Sequence, residues 1–184
     1  MYSEVTARFL VGGWVQKHLL VDVLAHADVT HIVNLRHEKL DEITKKQFMV
    51  LECEEDDLDS FMPTQFWMRV FDFTAKAYRG KDNKLYFHVP ARQHPESPVG
   101  CYAGLRALGY PALQSREKLA NVHPILCWHE TCIKSVETAF EFWCGKTGHN
   151  PEKRRQELHN KLRKASERRR SPFAFGQTAS ASVV

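Results

Sequence analysis

Residues 85–98 read Leu85-Tyr86-Phe87-His88-Val89-Pro90-Ala91-Arg92-Gln93-His94-Pro95-Glu96-Ser97-Pro98, an apolar run that leads into a proline-bounded loop. The turn-like residues at 80–83 come just before, so the pattern predicts a strand over 84–88. The residues from 98 to 108 predict a helix that Gly109 and Pro111 end. In open α/β sheets, ligands bind where the carboxyl end of a strand leads to a helix N-terminus. We therefore predict the functional site at residues 88–98.

Strand and helix patterns alternate along the rest of the chain. Short apolar or β-branched runs predict strands at 8–14, 30–35 and 48–51. Apolar residues at helical spacing predict helices at 18–27, 63–78, 131–144 and 151–170. This alternation indicates an α/β fold, a three-layer αβα sandwich around a mainly parallel sheet.

The composition is that of a globular protein with one core. Of 184 residues, 43% are hydrophobic and 26% are charged. The five cysteines are an odd number without the spacing of a disulfide framework, so we expect reduced thiols. No run approaches the roughly 20 apolar residues of a membrane helix, and the first residues lack a signal-peptide pattern. We therefore expect a cytoplasmic protein.

The net charge of +4 is distributed unevenly. An acidic cluster is formed by Glu52, Glu54, Glu55, Asp56, Asp57 and Asp59. Most of the excess positive charge follows Lys153, in a run that ends with Arg168-Arg169-Arg170. The small residues after this run are typical of disorder. We predict a domain over 1–150, a basic helix over 151–170 and a disordered tail over 171–184.

The segment from Leu85 to Tyr110 resembles the signature region of the dual-specificity phosphatases, cysteine-based enzymes of the protein tyrosine phosphatase superfamily. The runs at 8–13 and 29–36 are similar to that family's opening strands, and the resemblance covers roughly residues 5–145. It implies a dual-specificity-phosphatase-like fold. It also implies a catalytic loop directly after His88.

The family's loop needs a Cys thiolate directly after the His as the nucleophile. Backbone N–H groups of the next five residues then surround the phosphate, and an Arg after them clamps its oxygens. Here Val89 follows His88, and Pro95 stands where the Arg is expected. The Ser-Pro pair that often follows the Arg directly appears one position late, at Ser97-Pro98, which indicates an inserted residue.

The remaining loop residues do not restore this chemistry. Arg92 and His94 keep some positive charge, but neither stands at the clamp position. Pro90 and Pro95 have no N–H to donate to a phosphate. Asp56 and Asp57 lie near the family's general-acid position, with Asp57 the better match, but an acid does not replace a missing nucleophile. The acidic cluster around it is also typical of a solvated loop.

Two other clusters invite a functional interpretation. The segment Cys127-Trp128-His129-Glu130-Thr131-Cys132 has a Cys-x4-Cys spacing that is loose for structural zinc, and its neighbours form an apolar helical stripe. Cys101 lies on the predicted helix that follows the loop, and we interpret it as a small buried apolar residue. The basic helix at 151–170 lacks the aromatic residues that stack on bases and the apolar residues that enter lipid. We expect no metal ion and no cofactor.

We interpret the chain as a pseudophosphatase, a phosphatase-like binding or regulatory module without an active catalytic residue. Its expected partner is an acidic or phosphorylated protein. One alternative is an active phosphatase for phosphoproteins or small phosphoesters with an atypical loop. The other is a nucleic-acid or membrane-surface binder that uses the basic helix.

Overall fold

A five-stranded sheet forms the centre of the computed structural model, which describes residues 2–12, 19–35, 39–53, 64–88, 96–122, 130–153, 155–157, 160 and 163. The strands are β1 (Tyr2–Thr6), β2 (Phe9–Gly12), β3 (His31–Asn34), β4 (Met49–Glu52) and β5 (Leu85–His88). The helices are α1 (Leu20–His26), α2 (Glu42–Gln47), α3 (Thr64–Ala77), α4 (Glu96–Ala107), α5 (Ala112–Val122) and α6 (Glu130–Thr147).

The strand order is β1-β2-β5-β3-β4, and only β1 runs antiparallel to its neighbour. The β5 strand therefore lies in the middle, with β2 on one side and β3 on the other. A central parallel strand is buried on both faces, which accounts for the continuous apolar run that precedes the loop. The predicted strands at 84–88, 30–35 and 48–51 correspond to β5, β3 and β4.

Two apolar clusters cover the two faces of the sheet. One contains Phe87 and side chains from α3, α4, α5 and α6. The other contains Tyr86 and side chains from α1 together with Leu40 and Phe48, which flank α2. Because neighbouring residues of a strand point to opposite faces, Tyr86 and Phe87 pack into different layers. The predicted three-layer α/β sandwich is confirmed.

No helix in the ranges described above is long and apolar enough to cross a membrane. The predicted division at residues 150 and 170 stays a prediction. Residues 151–153 and 155–157 are helical, and residues 171–184 lie outside the described part of the chain.

Candidate functional site

The carboxyl ends of four parallel strands meet at one edge of the sheet. His88 pairs with Gly12 of β2 on one side and with Asn34 of β3 on the other, and Asn34 pairs with Glu52 of β4. These four residues are the last ones of their strands. Open α/β sheets bind ligands at the carboxyl ends of their strands. A ligand bound at this edge would therefore lie closest to His88 and to its strand partners Gly12 and Asn34.

His88 is held in place by both its backbone and its ring. Its carbonyl accepts the Leu35 N–H at 2.8 Å, which extends the pairing of β3 and β5 beyond the strands. Its Nδ1 lies 3.3 Å from the Tyr86 hydroxyl, and the side chain is only 4% exposed. Because residues two apart on a strand share a face, the His88 ring lies on the Tyr86 side of the sheet. The residue directly before the predicted loop is therefore buried and fixed.

Two glycines bring α4 unusually close to the sheet. A Cβ added at Gly100 would overlap the Leu35 Cδ1 methyl, and one at Gly104 would lie 2.6 Å from Phe87 Cζ. The residues are four apart, so they lie on the same face of α4. This close approach sets the position of the helix that follows the loop. The Gly-x-x-x-Gly spacing was visible in the sequence, but its meaning depends on Leu35 and Phe87.

A second contact set fixes α4 to α6. Arg106 donates from Nε and Nη2 to the two carboxylate oxygens of Glu137, at 2.7 and 2.8 Å. Tyr102 donates its hydroxyl to the same carboxylate at 2.7 Å, and the Arg106 guanidinium lies over the Phe140 ring. Burial, followed by the hydrogen bond to Glu137, raises the pKa of Tyr102. The hydroxyl therefore stays protonated and serves as a donor.

Three of the four described cysteines, Cys53, Cys101 and Cys132, are buried. Burial raises the pKa of the Cys101 thiol far above its ordinary value, which favours the protonated form. Burial also raises the pKa of Cys144, which is partly buried on α6. Cys101 packs in the main core cluster, in agreement with its expected role as a small apolar residue.

The predicted acidic neighbourhood is described only at its first member, Glu52. Its Oε1 accepts the Leu40 N–H at 2.9 Å, and its Oε2 lies 3.2 Å from Lys45 Nζ. Glu52 therefore stabilises the connection between β3 and α2. Asp57, the predicted general acid, lies outside the described residues.

The predicted loop residues are only partly described. His88 is placed as above, whereas Val89, Arg92, His94 and Pro95 lie outside the described residues. The α4 helix begins at Glu96, so Ser97 belongs to its first turn. The sequence predicts the start of this helix at Pro98, two residues later than the structure has it. The roles assigned to these loop residues stay predictions.

The described residues do not form a metal-binding site. Within the described ranges, no group of three or more His, Cys, Asp or Glu side chains could hold a metal ion. Cys132 is buried in the main core cluster, and Cys127 and His129 lie outside those ranges.

Comparison with known proteins places the fold. No protein-family model matches the chain, and no curated protein matches its sequence. Solved structures do match. PTPMT1 superposes with a TM-score of 0.64 at 14% identity, covering 82% of this chain and 100% of that one. Human DUSP28 gives 0.57 at 15% identity over 76% of this chain and 93% of that one.

A leucine-rich-repeat and phosphatase-domain protein from Entamoeba histolytica gives a TM-score of 0.56 at 13% identity, covering 81% of this chain and 96% of that one. At such identities the likeness concerns the fold alone. The chain has the fold of the dual-specificity phosphatases, as its resemblance to them implied.

Proposed function

We propose that this chain is a pseudophosphatase: a protein with the dual-specificity phosphatase fold that binds a partner and does not hydrolyse phosphoesters. The observation that carries the proposal is the position of His88, the last residue of the central strand and the start of the predicted site. In the family, the nucleophilic Cys directly follows this His. Here the next residue is Val89, which has no group able to attack phosphorus.

The described cysteines give little support for a thiol that could replace the missing nucleophile. The nearest in sequence, Cys101, is fully buried on α4 and has a raised pKa. A protonated, buried thiol is a poor nucleophile, because the thiolate is the reactive species. Pro95 also lacks both the guanidinium that would stabilise the transferring phosphoryl group and an N–H.

The proposed partner is an acidic or phosphorylated protein. Arg92 and His94 give the loop segment some positive potential, and the buried residues His88 and Val99 on either side of this segment favour a fixed entry and exit. The decisive experiment follows a labelled phosphotyrosine peptide by fluorescence anisotropy and by mass spectrometry in the same sample. We expect binding that Arg92→Ala weakens, with the peptide recovered unchanged. Recovery of dephosphorylated peptide, or no binding at millimolar protein, would contradict the proposal.

The alternative, an active phosphatase with an atypical loop, has one specific observation in its favour. PTPMT1, which shares this fold, has been crystallised in complex with PI(5)P. A crystal soaked in tungstate separates the two functions. We expect no oxyanion surrounded by the backbone N–H groups of residues 89–95, because two of these residues are prolines. A tungstate held there by several backbone donors would favour the enzyme.

The basic segment after residue 150 is a second proposed contact for an acidic partner. All described side chains from Glu152 onward are exposed, including Lys153, Arg155 and Arg163. Exposed ion pairs are worth only about 0–1 kcal/mol each, so such a contact would be weak and sensitive to salt. A chain ending at residue 150 should therefore lose partner affinity at low salt and change little at high salt. Equal binding with and without the segment at low salt would rule this contact out.

A further inference from the structure

The outer edge of β4 forms one side of an open groove. Among the described strands, β4 ends the sheet and pairs with β3 alone. All four of its residues, Met49 to Glu52, line a groove of about 790 Å³ that Phe48 and Cys53 extend at the two ends. Met49 is 64% exposed at the start of the strand. The groove therefore runs along the whole length of an edge strand.

The backbone of β4 has a defined direction toward this groove. The Met49 N–H donates to the Thr30 carbonyl and the Cys53 N–H to the Asn34 carbonyl, both at 3.1 Å. In a parallel strand, both backbone groups of a residue point to the same side, and the side alternates from one residue to the next. Residues 49, 51 and 53 thus face β3. Val50 and Glu52 direct their N–H and C=O groups toward the groove.

The described charges that line the groove are predominantly positive. Lys39, Lys45 and Arg69 line it, and among the described lining residues Glu52 is the one carboxylate, while Lys45 also lies 3.5 Å from the Glu42 carboxylate. That carboxylate is engaged by the Leu40 N–H and by Lys45, as described above. Lys39 is exposed. An edge strand beside several cations suits a strand that carries carboxylates.

We propose that the β4 groove binds an acidic, extended segment of a partner protein, which adds to the sheet as a further strand. Its main chain pairs with Val50 and Glu52, and its carboxylates lie near the lysines. Alternate side chains of an added strand point to opposite sides, so apolar residues interleaved with the acidic ones would contact the exposed Met49. This inference goes beyond the proposed function, because it holds whether or not the loop hydrolyses a phosphoester.

The test uses a fluorescent peptide of alternating Glu and Val as the probe. Two control peptides accompany it: one of alternating Lys and Val, and one of the acidic sequence with every amide N-methylated, which has no N–H group to donate to the edge strand. Anisotropy should show binding of the acidic probe and at least about tenfold weaker binding of both controls, a difference of about 1.4 kcal/mol. In an NMR titration of the full chain, the amide resonances of Val50 and Glu52 should shift.

Matched variants locate the contact. Lys39→Glu reverses an exposed charge that lines the groove and should weaken binding about fivefold. Lys81→Glu makes the same change in the turn before β5, at the opposite end of the sheet, and should leave binding unchanged. Circular dichroism of both variants verifies that the fold is retained.

Several results would overturn the proposal. These are no binding of the acidic probe, equal binding of the N-methylated peptide, and equal weakening by Lys39→Glu and Lys81→Glu. A dimer in sedimentation that Lys39→Glu abolishes would assign the groove to a second copy of the chain. Binding that appears only after Glu54, Glu55, Asp56 and Asp57 are neutralised would assign it to the chain's own acidic segment. None of these readouts depends on turnover, so the outcome is separate from that of the proposed function.

Discussion

Gly100 of α4 lies so close to Leu35, the residue after β3, that a methyl group at position 100 would overlap the Leu35 Cδ1 atom. One turn later, Gly104 lies against Phe87 in the same way. These contacts determine how near α4 approaches the strand ends around His88. The close approach restricts both positions to glycine, because any larger residue would displace α4 or the side chains it packs against.

Gly100→Ala is therefore expected to destabilise the fold by about 1–3 kcal/mol, the range for overpacking in a filled core. Gly145→Ala is the matched control. Gly145 lies within α6 with nothing within 4 Å of an added Cβ. Alanine is the better helix former, so this variant should be more stable by about 0.5–1 kcal/mol. Urea denaturation measures both, and equal effects of the two substitutions would contradict the packing described for α4.

Removing the ion pair between Arg106 and Glu137 should lower the free energy of unfolding more than removing an exposed pair of the same type. The Arg106 side chain is 13% exposed, and it also donates to the Tyr110 carbonyl at 2.7 Å. Arg106→Ala leaves these acceptors partly unsatisfied and should cost about 2–3 kcal/mol.

Arg116→Ala is the control for this substitution. It removes a bidentate pair of similar geometry with the exposed Glu130, together with a contact to Tyr102, and should cost about 1 kcal/mol or less. A loss at Arg116 as large as that at Arg106 would show that burial does not determine the strength of these pairs.

Because the pKa of His31 is lowered in the folded protein, we predict that the free energy of unfolding falls as the pH is lowered. Burial, followed by the nearby Arg8 guanidinium, lowers the pKa of His31 in the folded protein. The unfolded chain then binds more protons than the folded one below the ordinary His value of about 6.5. The contribution of His31 is thus fully present above that value and is lost as the pH falls toward the folded-state pKa.

The measurement is the free energy of unfolding at about pH 7.5 and about pH 5.5, on either side of the ordinary His value. His31→Gln should lose less stability between the two than the unaltered protein. An unchanged decline in His31→Gln would assign the pH dependence to other groups.

The central strand and its following helix could be predicted from sequence because local patterns define both. The run 85–87 is apolar without interruption, and Gly109, which follows α4, adopts a positive φ of 89° that favours glycine. The β1 strand was missed because only Val5 of its five residues is buried, so it lacks a clear alternation. The α2 helix was missed because six residues give less than two turns of periodicity.

The α5 helix was missed for a different reason. The sequence pattern assigns Pro111 to the end of the preceding helix, whereas in the structure its carbonyl accepts the Ser115 N–H at 2.9 Å and so starts the next one. The framework of the candidate site depends on residues far apart in the chain. Gly100 meets Leu35, and Arg106 meets Glu137, and no local pattern contains either pairing.

Phosphate release by the purified chain tests the central claim most directly. The substrates are p-nitrophenyl phosphate and phosphotyrosine peptides, measured before and after treatment with iodoacetamide. Because the proposed loop has Val89 at the predicted nucleophile position and Cys101 is buried, we predict a rate equal to the buffer background in both samples. Turnover above background that alkylation abolishes would contradict the account.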